Sequence, residues 1–275
     1  MPARRVPRPI TSRLVVSLTT SPDRIGQVER VVRTLLNQSC PPDEVHLNIP
    51  HVFRRTGRSY EIPAWCATLD PRVRVFRVED IGPATKSVPT ILRFAPGDDV
   101  VVVIADDDVL YLQRTLEVHC DAIARDPGCA YGLAGYDLLP GDVRRQGRGN
   151  VDVEVLEGWA TISLHRRLVG PGFEAYLEAA HRSRACFAQD DVTISNWLAL
   201  EGITRRIIHD RRASLRTMRA RGAQMDIGYL PDSLHRGRDP QTGQPLLRVP
   251  EVQEHLESLG LWKLGSVHAA GAVAR

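Results

Sequence analysis

A chain of 275 residues, 43% hydrophobic and 25% charged, can bury one large core and has the composition of a folded globular protein, which excludes wholesale disorder. A net charge of +3 is too small an excess to point to nucleic acid, so none is expected as a partner. No run approaches the roughly 18 apolar residues of a membrane span, and five cysteines without a C-x-x-C pair exclude a complete disulfide framework.

The start, MPARRVPRPITSR, is basic but has no apolar stretch behind it, so residues 1–12 read as a flexible tail rather than a secretion signal. The expectation is a cytoplasmic protein, with peripheral contact at the inner membrane surface left open. Of 36 basic residues, the lysines are Lys86 and Lys263. Against that bias toward arginine, a lysine suggests that a compact ammonium is wanted at its position.

In chain order, RLVVSL at 13–18 is a strand, and Ile25, Val28, Val32 and Leu35 then recur at helical spacing. EVHLNI at 44–49 and VRVFRV at 73–78 alternate polar and apolar as strands do. Residues 85–94 have helical character after Gly82-Pro83. VVVVI at 100–104 is continuously apolar and β-branched, the pattern of a central strand buried on both faces. A helix is expected over 111–125, with Leu112, Leu116, Cys120 and Ile123 on one face.

GDVRRQGRGN at 141–150 is polar and glycine-rich and reads as a mobile loop. Strands are expected over 151–156 and 160–164, flanking Gly158-Trp159. DDVTISNWLALE at 190–201 reads as a helix with an acidic start, and residues 252–261 as a short amphipathic stretch. Alternating strands and helices predict an α/β fold, a Rossmann-like, mixed but mainly parallel sheet with helices on both faces. The second half looks too strand-poor to stand alone. We therefore expect one domain over 13–245, made of a nucleotide-binding half (13–135) and an acceptor-binding half (151–245), followed by a C-terminal extension over 246–275.

Three consecutive carboxylates, Asp106, Asp107 and Asp108, follow the apolar strand directly. Their repulsion would be costly unless a cation were shared. In an extended segment Asp106 and Asp108 can face one side and offer hard oxygens suited to Mg²⁺ or Mn²⁺ together with substrate phosphates. The bland reading is a solvated acidic turn.

The segments VVSLTTSPDRI at 15–25, DIGPATKSVPTI at 80–91, VVVIADDDVLY at 101–111 and FAQDDVTISNWLALEGI at 187–203, taken in order, resemble the nucleotide-sugar glycosyltransferases of GT-A fold, including family-2-like enzymes. The resemblance implies transfer of a sugar from a nucleotide-diphosphate sugar, most commonly a UDP-sugar, to an acceptor hydroxyl. That acceptor would be a carbohydrate, a lipid-linked molecule or a small molecule. It implies a donor site at Thr19, Thr20, Ser21, Arg24, Lys86, Asp106 and Asp107, and a metal held by Asp106 and Asp108, with His235 as a late ligand. It implies an inverting mechanism with Asp191 or Asp190 as the base.

Several of these residues also have plain structural readings. Ser21-Pro22-Asp23 could simply cap a helix, as could Asp190-Asp191. Lys86 could be a surface lysine. Gly158-Trp159 suits an acceptor sugar, with an indole to stack and a glycine to admit it, but Trp159 could equally be core. The seven arginines between 205 and 221 read first as a solvated face. A retaining transferase of the same fold stays open, as does a non-catalytic nucleotide- or carbohydrate-binding domain. A nucleotidyltransferase is disfavoured, because TTSPDR lacks the glycines such a loop would want.

Overall fold

The computed structural model describes residues 4–140, 142–213 and 248–265. In chain order they form β1 (Arg13–Thr19), α1 (Val28–Leu36), β2 (Glu44–Pro50), α2 (Trp65–Thr68), β3 (Val73–Val78), a 3-10 turn (Gly82–Lys86), α3 (Val88–Arg93), β4 (Val100–Ile104) and α4 (Thr115–Arg125). Then come β5 (Ala130–Gly132), β6 (Gly135–Leu139), β7 (Val143–Gln146), β8 (Val155–Leu156), β9 (Ile162–His165), α5 (Phe173–Ala180), α6 (Arg184–Ala188), α7 (Asp190–Leu200), β10 (Arg205–Ile207) and α8 (Val249–Ser258).

Seven strands form the main sheet in the order β10-β5-β9-β4-β1-β2-β3. The pairings are parallel except those of β9, which runs antiparallel to both β4 and β5. The alternation of side chains along β1 and β4 divides the core in two. Leu14, Val16, Leu18, Val101 and Val103 face α1 and α4, whereas Val15, Val102 and Ile104 face α3, α5, α7 and α8. Helices therefore cover both faces, and β4 is buried at every position, as its unbroken apolar run requires.

Two expectations are corrected. The stretch 141–150 is not simply a loop: β7 pairs antiparallel with β6, which pairs on its other side with β8. All four residues of β7 are exposed, so no apolar alternation marked it. Cross-strand contacts hold it instead, Arg145 to Asp137 at 2.9 Å and the Arg144 guanidinium 4.9 Å from the Tyr136 ring centre. The second half is also richer in strand than its sequence suggests, because β8, β9 and β10 are only two to four residues long.

The helical stretch after Gly82 is broken into a 3-10 turn and a separate α3, with Pro89 in the first turn of α3, where a missing N–H costs least. A buried polar tether fixes this turn to the sheet. The Ser17 hydroxyl donates to the Lys86 carbonyl, while the Asn48 amide donates to Ser17 at 3.1 Å and to Thr90 at 3.0 Å. Among the described residues no helix is long and apolar enough to cross a membrane.

Candidate active site

Beyond the carboxyl ends of β1 and β4 lies a cavity of about 840 Å³, where ligands sit in open α/β sheets. At its floor the chain leaves β4 and turns through Asp106, Asp107 and Asp108. Tyr111 holds this turn: its hydroxyl accepts from the Asp106 N–H at 2.9 Å and lies 3.4 Å from the Trp159 carbonyl. The helix expected from residue 111 starts only at Thr115.

Lys86 is enclosed by carboxylates. Its Nζ lies 2.9 Å from Asp106, 3.2 Å from Asp190 and 3.9 Å from Asp191. Burial opposes the ammonium, but the three carboxylates outweigh it and hold its pKa well above the ordinary lysine value. Lys86 is thus no surface lysine. It ties the acidic run after β4 to the acidic start of α7.

The two acids of α7 differ. Asp190 is almost covered, with 8% of its side chain exposed, whereas Asp191 keeps 29% and accepts from the Gly158 N–H at 3.1 Å. Burial and then the charge of Asp190 push Asp191 up to about 8. Gly158 is closely packed by this cluster. A Cβ there would stand 2.7 Å from the Lys86 ammonium and 3.0 Å from the Asp191 carboxylate, so the flexible Lys86 end would have to shift.

Asp107 turns away from this cluster and is buried. It accepts from the Thr20 hydroxyl at 2.6 Å and from Arg24 at 3.0 Å, so its carboxylate fastens the loop after β1 to the loop after β4. Arg24 also lies 3.7 Å from Asp108. The Thr19 hydroxyl donates to the Asn48 carbonyl at 2.7 Å, and Tyr60 donates to the Thr20 carbonyl at 3.0 Å. Thr19, Thr20, Ser21, Arg24 and Trp159 all line the cavity. Twelve of the thirteen expected site residues therefore come together around it, Gly158 through its contacts with Lys86 and Asp191. His235 lies outside the described residues, as do Arg216, Arg219 and Arg221.

The chemistry of the floor suits a hard divalent cation. Asp106, Asp107, Asp108, Asp190 and Asp191 are met there by the single charges of Lys86 and Arg24. Burial, then the charges of Asp106 and Asp107, push Asp108 up to about 7. Among the described residues no group of three His, Cys, Asp or Glu forms a metal cluster. Two aspartates with substrate oxygens are a donor set that Mg²⁺ accepts.

Against solved structures, this fold is similar to a crystal structure of GalNAc-T7 with UDP, GalNAc and Mn²⁺, with a TM-score of 0.53 and 11% identity over 72% of this chain. The fold is of the GT-A type. The match covers 42% of that protein's chain, so this chain spans less than half of its length. A 4-diphosphocytidyl-2C-methyl-D-erythritol synthase is also similar, with a TM-score of 0.44 and 14% identity over 74% of this chain and 92% of the other. No family model and no curated protein matches the sequence.

The GT-A cavity also holds residues that the sequence did not single out. Asp80 accepts from the Arg54 N–H at 2.7 Å and the Gly82 N–H at 2.8 Å, joining the loops after β2 and β3. Phe187 packs so closely on Gly82 that a Cβ there would meet its carbonyl oxygen at 2.5 Å, and the φ of Gly82 is +72°. Asp80-x-Gly82 was a readable turn signal. Tyr60 and Arg54 carried none, because only the folded path of the 51–60 loop brings them here.

Proposed function

We propose that this protein is a metal-dependent, inverting glycosyltransferase that moves a sugar from a nucleotide-diphosphate sugar, a UDP-sugar, to an acceptor hydroxyl. The observation that carries this reading is the Lys86 ammonium, which gathers Asp106, Asp190 and Asp191 into one cavity beyond the strand ends.

Asp106 and Asp108 would hold Mn²⁺ or Mg²⁺, which when bound supplies positive charge to the departing diphosphate. Lys86 adds a fixed charge beside it. The loop Thr19, Thr20, Ser21 and Arg24 receives the nucleotide, shaped from behind by Asp107 and Tyr60. Asp191 is the base: it is the more open of the two acids and hydrogen-bonded by the Gly158 N–H, with a pKa lifted toward the working pH, which favours proton transfer. Asp190, covered and nearer Lys86, anchors the ammonium. Trp159 offers its indole to the acceptor sugar.

The direct test is a screen of UDP-, GDP- and CDP-sugars for turnover with and without Mn²⁺, with Asp108→Ala alongside. Turnover of a UDP-sugar that needs metal and is lost in the variant is the expected result. Turnover equal in both proteins would refute the metal site, and product of retained anomeric configuration would refute the base. A second readout needs no catalysis. At about 100 times Kd, UDP with Mn²⁺ should stabilise the wild type by about 2.7 kcal/mol, seen as a raised melting temperature that Asp108→Ala largely forfeits.

A further inference from the structure

A second charged feature lies on the wall formed by the loop after β2 and the stretch from His181 into α6. Phe187 is its centre. The Arg54 guanidinium lies 5.1 Å from the Phe187 ring centre, and the His181 ring meets the same phenyl edge-on at 5.7 Å. Arg182 and Arg184, exposed and next in sequence, line the same cavity.

The Asp80 carboxylate, beside Arg54, does not pair with the Arg54 guanidinium. Asp80 is taken up by two backbone N–H groups, and the Arg54 side chain reaches only the Asp80 carbonyl, at 3.5 Å. His181 belongs to the same wall: burial and then the neighbouring Arg54 charge lower its pKa, and its Nε2 is covered, without a hydrogen-bond partner among the described residues.

Within the one cavity, the wall and the nucleotide loop draw on different side chains. Successive arginines split: Arg55 lies over Phe53, which packs edge-on against Tyr60 on the nucleotide side, whereas Arg54 turns to Phe187. Gly82, under Phe187, and Lys86 stand at opposite ends of the 3-10 turn, about 8 Å apart at about 2 Å per residue. Guanidinium groups beside a ring, at the mouth of a concave site, suit a planar or tetrahedral oxyanion.

We infer that the wall of Arg54, His181 and Arg182 around Phe187 seats an anionic group of the acceptor, a phosphate monoester or a carboxylate, so that the acceptor is an acidic saccharide. This rests on the glycosyltransferase reading for the word acceptor, while the seat itself can be measured without turnover.

The test is calorimetric titration of the full chain, loaded with UDP and Mn²⁺, with glucose, glucose 6-phosphate and glucuronate. One or both acids should bind at least about tenfold tighter than glucose. That preference should collapse in Arg182→Ala and be partly restored in Arg182→Lys. Arg182 is exposed, so the variants should fold; a near-wild-type melting temperature checks this. Equal affinity for all three sugars, or a preference unchanged in Arg182→Ala, overturns the inference. A parallel loss of UDP affinity in Arg182→Ala also overturns it, by assigning the wall to the nucleotide. Transfer assays on the same sugars separate the two readings: donor turnover without an acid preference defeats the seat and leaves the transferase standing, whereas acid binding without turnover of any donor does the reverse.

Discussion

At the scale of single residues, the candidate site hangs on contacts that leave no slack. Gly158→Ala places a methyl group where the Lys86 ammonium and the Asp191 carboxylate now meet the backbone. The Lys86 end can swing aside, so we expect unfolding free energy to change by less than about 1 kcal/mol. Turnover should nevertheless fall by about 10- to 100-fold, because displacement by about 1 Å is enough to spoil a reacting geometry. Thermal melts and steady-state rates on the same variant check the split, and equal losses in both would count against it. Asp191→Asn removes the proposed base but little volume. Transfer should drop by about 10²- to 10⁴-fold with UDP affinity within about twofold of wild type, whereas Asp190→Asn should weaken the hold on Lys86 and lower stability as well.

Elements explain why part of this was legible in the sequence and part was not. β4 could be read because burial on both faces leaves an unbroken apolar run, and the acidic run after it because repulsion among three carboxylates needs a cause. Lys86 could be read because lysine is rare in this chain. The short strands β8 and β10 could not, since two or three residues do not establish a period. Phe187 and Arg54 matter through a contact between loops more than 130 residues apart in sequence, which no local pattern encodes. The tether beneath the 3-10 turn was likewise hidden, because Ser17, Asn48 and Thr90 look like ordinary strand and helix residues until they meet. Ser17→Ala removes the donor to the Lys86 carbonyl. The expected loss is about 1 kcal/mol of stability with a disproportionate fall in turnover, measured by denaturant titration beside kinetics; a fall in stability alone would show that the turn holds its place without the tether.

At the scale of the whole molecule, the buried histidine behind the site sets a limit on acid tolerance. His119 bridges Thr161 and Ser163 at 2.7 Å each, and it supports Thr161, a non-glycine residue with a φ of +93° that is strained there. Burial lowers its pKa to about 3. Below its ordinary value of 6.5 the unfolded chain takes the proton that the folded one refuses, so its contribution to stability, full above that pH, is lost as pH falls toward 3. Asp108 and Asp191, held protonated to about 7 and about 8, act in the opposite sense and favour the folded state at lower pH. The histidine contribution can be isolated by comparison with His119→Asn. Between pH 6.5 and 4.5 the wild type should lose up to about 1.4 kcal/mol per pH unit more than the variant, and parallel denaturation profiles would exclude this role.

The antiparallel β9 has a consequence for how the chain is made. It sits between β4 and β5 in the sheet, so the facing edges of these two strands have no neighbour until residue 165 has been synthesised. At roughly 5–20 residues per second, the edge of β4 waits several seconds, through about 60 residues of synthesis, as an apolar ladder open to any passing strand. Nascent chains halted at residue 156 should therefore associate or be held by chaperones, whereas chains halted far enough beyond 165 for β9 to clear the ribosome should not, and ribosome-stalled fragments of the two lengths would separate these outcomes.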